Sequence, residues 1–164
     1  MAISKDKKSE ILAKLEGALT EATSASFVGF TKLTVTEASA LRRELKATGV
    51  NYYVAKKTLM RRALADKGYT GTLPELPGEV ALAWTAGEDT TAPARGIHEY
   101  GKKVKGAVAL LGGVFERAFA GAEQMVAIAT IPPTPVLRGM FVNVINSPIQ
   151  GLVIALDQVR EKKS

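Results

Sequence analysis

The stretch SASFVGFTKLTVTEASALRRELKATGVNYYVA, residues 24–55, carries three elements in succession. "SASFVGF" (24–30) is short and rich in β-formers, which predicts a strand. "TVTE" (34–37) has the form of a capping box, with Thr34 as N-cap and Glu37 reaching back from the third helical position. Behind it Ala38, Leu41 and Leu45 recur at helical spacing and leave Arg42, Arg43 and Lys46 outward. Gly49 is a natural stop, because glycine enters the left-handed region without a Cβ penalty. "VNYYVA" (50–55) predicts a second strand.

Outward from this unit the alternation continues. Toward the N-terminus, Ser4 caps a helix through about Ala22, with Ile11, Leu12, Leu15, Leu19 and Ala22 on one stripe. Toward the C-terminus, "KKTLMRRALADKG" (56–68) predicts a helix ending near Gly68, followed by a turn-rich loop over 69–79. A strand over 80–86, a helix over 90–103 with Pro93 in its first turn, a strand over 107–115 and a helix over 121–130 complete the order. Four short strands alternating with helices predict a compact α/β sandwich. In "IPPTP" (131–135), Pro132, Pro133 and Pro135 favour an extended hinge, with Thr134 as cap and Pro135 at the first position of the next helix. The expected layout is a globular domain over 1–130, a proline hinge over 131–135 and a helix over 136–164. At ~1.5 Å per residue that helix is about 40 Å long. The body has an expected radius of gyration of only ~14 Å, so the helix is expected to protrude.

Composition narrows the chemistry. The chain has no cysteine and one histidine, His98, which argues against thiolate chemistry and a zinc site. "GIHEYGKK" (96–103) spells most of a phosphate-binding loop, but Lys103 stands where Ser or Thr would ligate magnesium, and the stretch reads as helix. No catalytic constellation, cofactor fingerprint or metal-ligand set emerges, so a non-enzyme is expected. "MAISKDKKSE" has no long apolar run behind its basic residues, and no window is expected to hold the ~18 apolar residues of a membrane span. The oily tail, with Arg138, Asn143, Asn146, Pro148, Gln150 and Asp157, reads poorly as one. A cytoplasmic location is expected.

Two features carry chemistry. The net charge is +6, and all of the excess lies within residues 1–70, as expected for a polyanion partner. Lys56, Lys57, Arg61 and Arg62 cluster where a strand gives way to a helix, and the N–H groups near Thr58 would attract phosphate. Lys5, Lys7, Lys8, Lys32, Arg42 and Arg43 extend this surface if they share its side. Of Tyr52 and Tyr53, alternation buries one and leaves the other to stack a base. The second feature is the tail, which overlays itself at a shift of eleven residues: "FVNVIN" (141–146) on "LVIALD" (152–157). Eleven residues are about three helical turns, so both copies face nearly the same way. Its apolar side chains would offer on the order of 1,000 Å², more than a soluble monomer leaves uncovered. A repeated surface suggests a repeated partner, one per copy, with Pro148 as the joint between them. The alternative is a peripheral membrane protein whose tail lies in the bilayer interface. Between Gly139 and Gln158 the only charge is Asp157, the wrong sign for that role.

The chain resembles the bacterial ribosomal stalk-base family, large-subunit ribosomal protein ten, over essentially its whole length. The resemblance rests on "FTKLTVTEASALRRELKATGV", "VAKKTLMRRAL", "GEVALAW" and the hinge followed by "VNVINSPIQGLVIALDQVREKK". It implies an α+β fold, a ferredoxin-like α/β sandwich with a protruding C-terminal helix, and no enzymatic activity. It implies binding of large-subunit rRNA beside ribosomal protein eleven, through Lys5, Lys7, Lys8, Lys32, Lys56, Lys57, Thr58, Arg61 and Arg62. It also implies that the helix holds dimers of the acidic stalk protein seven/twelve, two by the tail repeat, which recruit translational GTPases. Phe141, Val142, Ile145, Ile149, Leu152, Val153 and Leu156 would carry those contacts. Many relatives read Arg-Gly-Leu-Thr where this chain has Thr31-Lys32-Leu33-Thr34, so a glycine with easy access to positive φ is missing here. Many also have Asn where this chain has Lys57, which implies a charge contact in place of an amide contact.

Overall fold

The computed structural model of the chain describes residues 5–87, 89–104 and 106–163, the side chains of residues 5 and 163 excepted. The expected Ser4 cap lies outside the described residues. The elements are α1 (Lys5–Glu21), β1 (Ser24–Phe30), α2 (Val35–Ala47), β2 (Asn51–Val54), α3 (Lys57–Ala65), β3 (Glu79–Thr85), α4 (Ala92–Lys103), β4 (Val108–Phe115), β5 (Ala118–Gly121), α5 (Ala122–Ala129) and α6 (Thr134–Lys163). They form two compact units, Met1–Ile131 and Pro132–Ser164.

The first unit is an α+β domain built on an antiparallel sheet of order β2-β3-β1-β4-β5. Its β1-α2-β2 and β3-α4-β4 halves give the ferredoxin-like order, with β5 added at one edge. Both faces of the sheet are covered. Val28, Ala81 and Ala83 pack with Leu41, Leu45 and Ile97 under α2 and α4. Their neighbours in sequence, Phe27, Val80 and Leu82, pack with Leu15, Leu19, Met60 and Leu64 under α1 and α3. Period-two alternation therefore divides each strand between two cores. Full burial of each large side chain contributes ~1.5–3 kcal/mol.

The local signals act as read. Thr34 Oγ1 accepts from the Glu37 N–H at 3.3 Å, and the Thr34 N–H donates to Glu37 Oε2 at 2.9 Å, closing the capping box. Gly49 lies at φ 73° and ends α2. Several expectations need correction. Among the described residues there are five strands, not four: a two-residue turn at Glu116 and Arg117 returns the chain as β5. Helix α3 ends at Ala65 rather than near Gly68, with Asp66 as its C-cap. The hinge is shorter than 131–135. Thr134 and Pro135 already belong to α6, and the Pro133 carbonyl accepts from the Val136 and Leu137 N–H groups at 2.9 and 3.0 Å. Pro133 thus takes the capping position expected of Thr134. Pro135 fits the first turn because the N–H it lacks has no helical partner there.

Helix α6 is continuous through Pro148. Its apolar side chains from Leu137 to Val159 are 41–70% exposed. Contrary to the expectation that no window is apolar enough, it is long and apolar enough, by length and composition, to cross a membrane. Its apolar residues outweigh the interspersed Asn143, Asn146, Ser147 and Gln150.

Candidate functional site

The C-terminal ends of β1 and β2 lie at one end of the sheet, where Phe30 pairs with Glu79 and Val54 with Ala81. Helix α3 starts beside them. Together with α1 they enclose a cleft of about 530 Å³ lined by Ile11, Phe30, Val54, Ala55, Lys56, Lys57, Thr58, Gly78, Glu79 and Val80. The floor is apolar and the rim cationic. Lys56 is the N-cap of α3, extended at φ −65° and ψ 134°, and its side chain makes no capping hydrogen bond. The N–H groups of the first turn therefore open beside two lysines, an arrangement suited to an anion.

The predicted cations divide by location. Lys56, Lys57 and Thr58 meet in the cleft and are exposed. Lys7 and Lys8 stand four and three positions before the cleft residue Ile11, so helical spacing puts them on its side of α1. The side chain of Lys5 lies outside the described residues. Lys32 follows β1 at the same end of the sheet, where the Thr31 N–H donates to the Ala107 carbonyl at 2.9 Å. Arg61 and Arg62 continue along α3, both exposed, with Arg61 one turn beyond Lys57. Among the described residues, no ion pair engages Lys8, Lys32, Lys56, Lys57, Arg61 or Arg62. Arg42 and Arg43 do not join them: α2 lies on the opposite face, and the Arg42 guanidinium sits 5.9 Å from the Tyr52 ring centroid.

Two expectations about this site are corrected. Alternation does not bury one tyrosine and free the other: both are partly buried. Tyr52 packs against the core under α2 and α4, and Tyr53 against the core under α1 and α3, because the sheet has no solvent face here. Loss of the glycine in the loop after β1 does not remove positive φ either: Lys32 itself lies at φ 54°. Sequence reasoning missed the apolar floor of the cleft, because Ile11, Phe30 and Val54 look like ordinary core positions until the strand ends are brought together.

The phosphate-loop spacing at Gly96–Lys102 lies within α4, where the backbone N–H groups serve the helix. Pro93 occupies the first turn of α4 and His98 is half-buried on it. Among the described residues, no group of three His, Asp or Glu side chains could hold a metal ion.

In the second unit, Phe141, Val142, Ile145, Ile149, Leu152, Val153 and Leu156 all lie on α6 and are exposed. Pro132 and Pro133 precede the helix, and Pro148 lies within it. Pro148 cannot donate to the Val144 carbonyl, so the two copies of the tail repeat meet at a missing backbone bond.

Comparison with known proteins supplies the identity. The ribosomal protein L10 family pattern matches residues 3–102. The chain is similar to the large ribosomal subunit protein uL10 of Shouchella clausii (strain KSM-K16), 32% identical over 158 residues, which are 96% of this chain and 94% of that protein. With a core of this topology and matches of this extent, the chain belongs to the ribosomal protein L10 family.

Proposed function

We propose that this protein is a structural, non-enzymatic component of the large ribosomal subunit that forms the base of its stalk. Its globular unit binds large-subunit rRNA through the cleft at Lys56–Thr58 and the cations Lys7, Lys8, Lys32, Arg61 and Arg62, beside ribosomal protein eleven. Its C-terminal helix carries dimers of the acidic stalk protein, and those dimers recruit translational GTPases. The protein works in the cytoplasm, on the ribosome.

The observation that carries this reading is the apolar surface of α6, exposed along the whole helix. A surface of this size signals a partner. Repetition at eleven residues gives two equivalent sites, one on each side of Pro148. Native mass spectrometry of the complex with co-expressed acidic stalk protein is expected to show two dimers per chain. One or three dimers would reject the count, and none would reject the role of the helix.

The length and composition of α6 also favour a second reading, a membrane-associated tail. Against a span, Asn143, Ser147 and Gln150 line one side of the helix with no partner that lipid could supply. Against an interfacial helix, the only charge between Gly139 and Gln158 is Asp157, where anionic lipid would favour Lys or Arg. Flotation with anionic liposomes separates the two, and co-flotation of the intact chain would favour the membrane.

A further inference from the structure

Helix α3 does not end in neutral surroundings. Beyond Arg61 lies a second cleft, lined by Leu64, Gly68, Tyr69 and Phe119 among others. Gly68 and Tyr69 also line a third, with Lys67 and Arg117 on its wall. The Tyr69 ring stands between the two, edge-on to Phe119 with centroids 5.6 Å apart.

These parts come from distant stretches of chain held in register. Thr70 pairs with Ala118: the Thr70 N–H donates to the Arg117 carbonyl at 3.2 Å, and the Phe119 N–H donates to the Thr70 carbonyl at 2.9 Å. Lys67 Nζ donates to Thr20 Oγ1 on α1. Arg117 is exposed, and no ion pair engages Arg61, Lys67 or Arg117 among the described residues. Arg117 is close enough to Tyr69 to oppose the upward push that burial gives its phenol.

The turn itself is unusual. Glu116 and Arg117 lie at φ 50° and 62°, in a two-residue hairpin that favours Asn-Gly. Lys32 is the remaining described non-glycine residue at positive φ. The two cations held in this strained conformation, Lys32 and Arg117, follow opposite ends of the sheet, after Phe30 and after Phe115. The face of α3 that bears Lys57 and Arg61 lies between those ends. Its nine residues span about 12 Å, the length of roughly three to four nucleotides at ~3.4 Å each.

We propose that the RNA path continues along α3 to a second phosphate-backbone contact made by Lys67 and Arg117 beside Tyr69. This rests on the RNA-binding reading above and extends it to the opposite end of the sheet.

The test measures binding of the full chain to large-subunit rRNA as a function of salt. The variants are Lys67→Gln with Arg117→Gly, Lys56→Gln with Lys57→Gln, and, as a control of equal charge, Arg43→Gln with Lys46→Gln on α2. Glycine at position 117 keeps the positive φ, and glutamine at 67 keeps a donor for Thr20. The slope of log affinity against log salt is expected to become shallower by ~0.7–0.9 for each phosphate that is no longer neutralised. The Lys67/Arg117 variant should show a slope shallower by the equivalent of one to two phosphates and the control almost no change, with melting temperatures not lowered in either. A native slope for the Lys67/Arg117 variant, or an equal change in the control, would overturn the second phosphate site. In that event, a shallower slope for the Lys56/Lys57 variant would leave the first cleft standing. Failure of the native chain to bind rRNA would overturn both.

Discussion

At the scale of single residues, two side chains are held in arrangements with measurable consequences. Lys32 lies at φ 54°, where an L-residue is strained by ~1–2 kcal/mol. Glycine relieves that strain but gives the unfolded chain more freedom, worth ~0.4–1 kcal/mol. Lys32→Gly should therefore raise stability by about 0.5–1 kcal/mol in urea denaturation while weakening RNA binding. A loss of stability would mean that the lysine side chain itself supports the loop. Asp89 accepts hydrogen bonds from the Thr91 N–H and hydroxyl, and pairs with Arg95, which also donates to the Ile131 carbonyl at 3.3 Å. Burial pushes the Asp89 carboxyl up, but the Arg95 and Thr91 contacts together outweigh it and hold the group below the usual carboxylate range. With its folded-state value depressed, the stabilisation is complete above the unfolded value of ~3.9 and is lost as pH falls through the folded value. Asp89→Asn should cost about 1 kcal/mol at neutral pH, allowing for solvent screening. Its deficit against the native chain should close below about pH 4. A deficit constant from pH 7 to pH 3 would assign the effect to packing instead.

At the scale of elements, packing of α4 on the sheet depends on an absent side chain. A Cβ on Gly101 would stand 2.6 Å from the Val108 carbonyl oxygen, a backbone atom that moves only with β4. Gly101→Ala should destabilise the fold by ~1–3 kcal/mol, read as a lower urea midpoint. Gly17→Ala in α1, where a Cβ meets nothing within 4 Å, should raise it. Such close approaches are invisible in sequence, whereas elements with strong local chemistry were legible. Thr34 and Glu37 announced α2, and Gly49 announced its end, because a capping box and a positive-φ stop act within a few residues. β5 was not legible. Its turn is Glu-Arg rather than Asn-Gly, and its four residues gain their place from pairing with Gly112–Phe115. The place of Pro135 was legible for the same local reason as α2: its missing N–H is harmless in a first turn, and α6 starts one residue before it.

At the scale of the whole molecule, the basic cluster was legible as charge, but the cleft was not. The reading of Lys56–Arg62 needed only neighbouring residues, whereas the cleft needs Ile11, Phe30 and Gly78, brought in by the sheet. The tail was legible because its apolar excess has no counterpart of its own: among the described residues, every buried hydrophobic residue lies between Leu15 and Ala129. The first unit thus contains the core formed by the described residues, and the second contributes exposed apolar surface. Truncation after Ile131 should accordingly leave the cooperative unfolding of the globular unit intact, with a melting temperature within a few degrees of the full chain. It should leave the salt dependence of rRNA binding unchanged, abolish capture of acidic stalk dimers, and reduce self-association in the absence of partners. Calorimetry, salt titration and native mass spectrometry on the same preparation check these separately. A collapse of the melting transition would mean that residues 132–164 stabilise the globular unit, and the apolar face of α6 would then owe its character to packing rather than to partner binding.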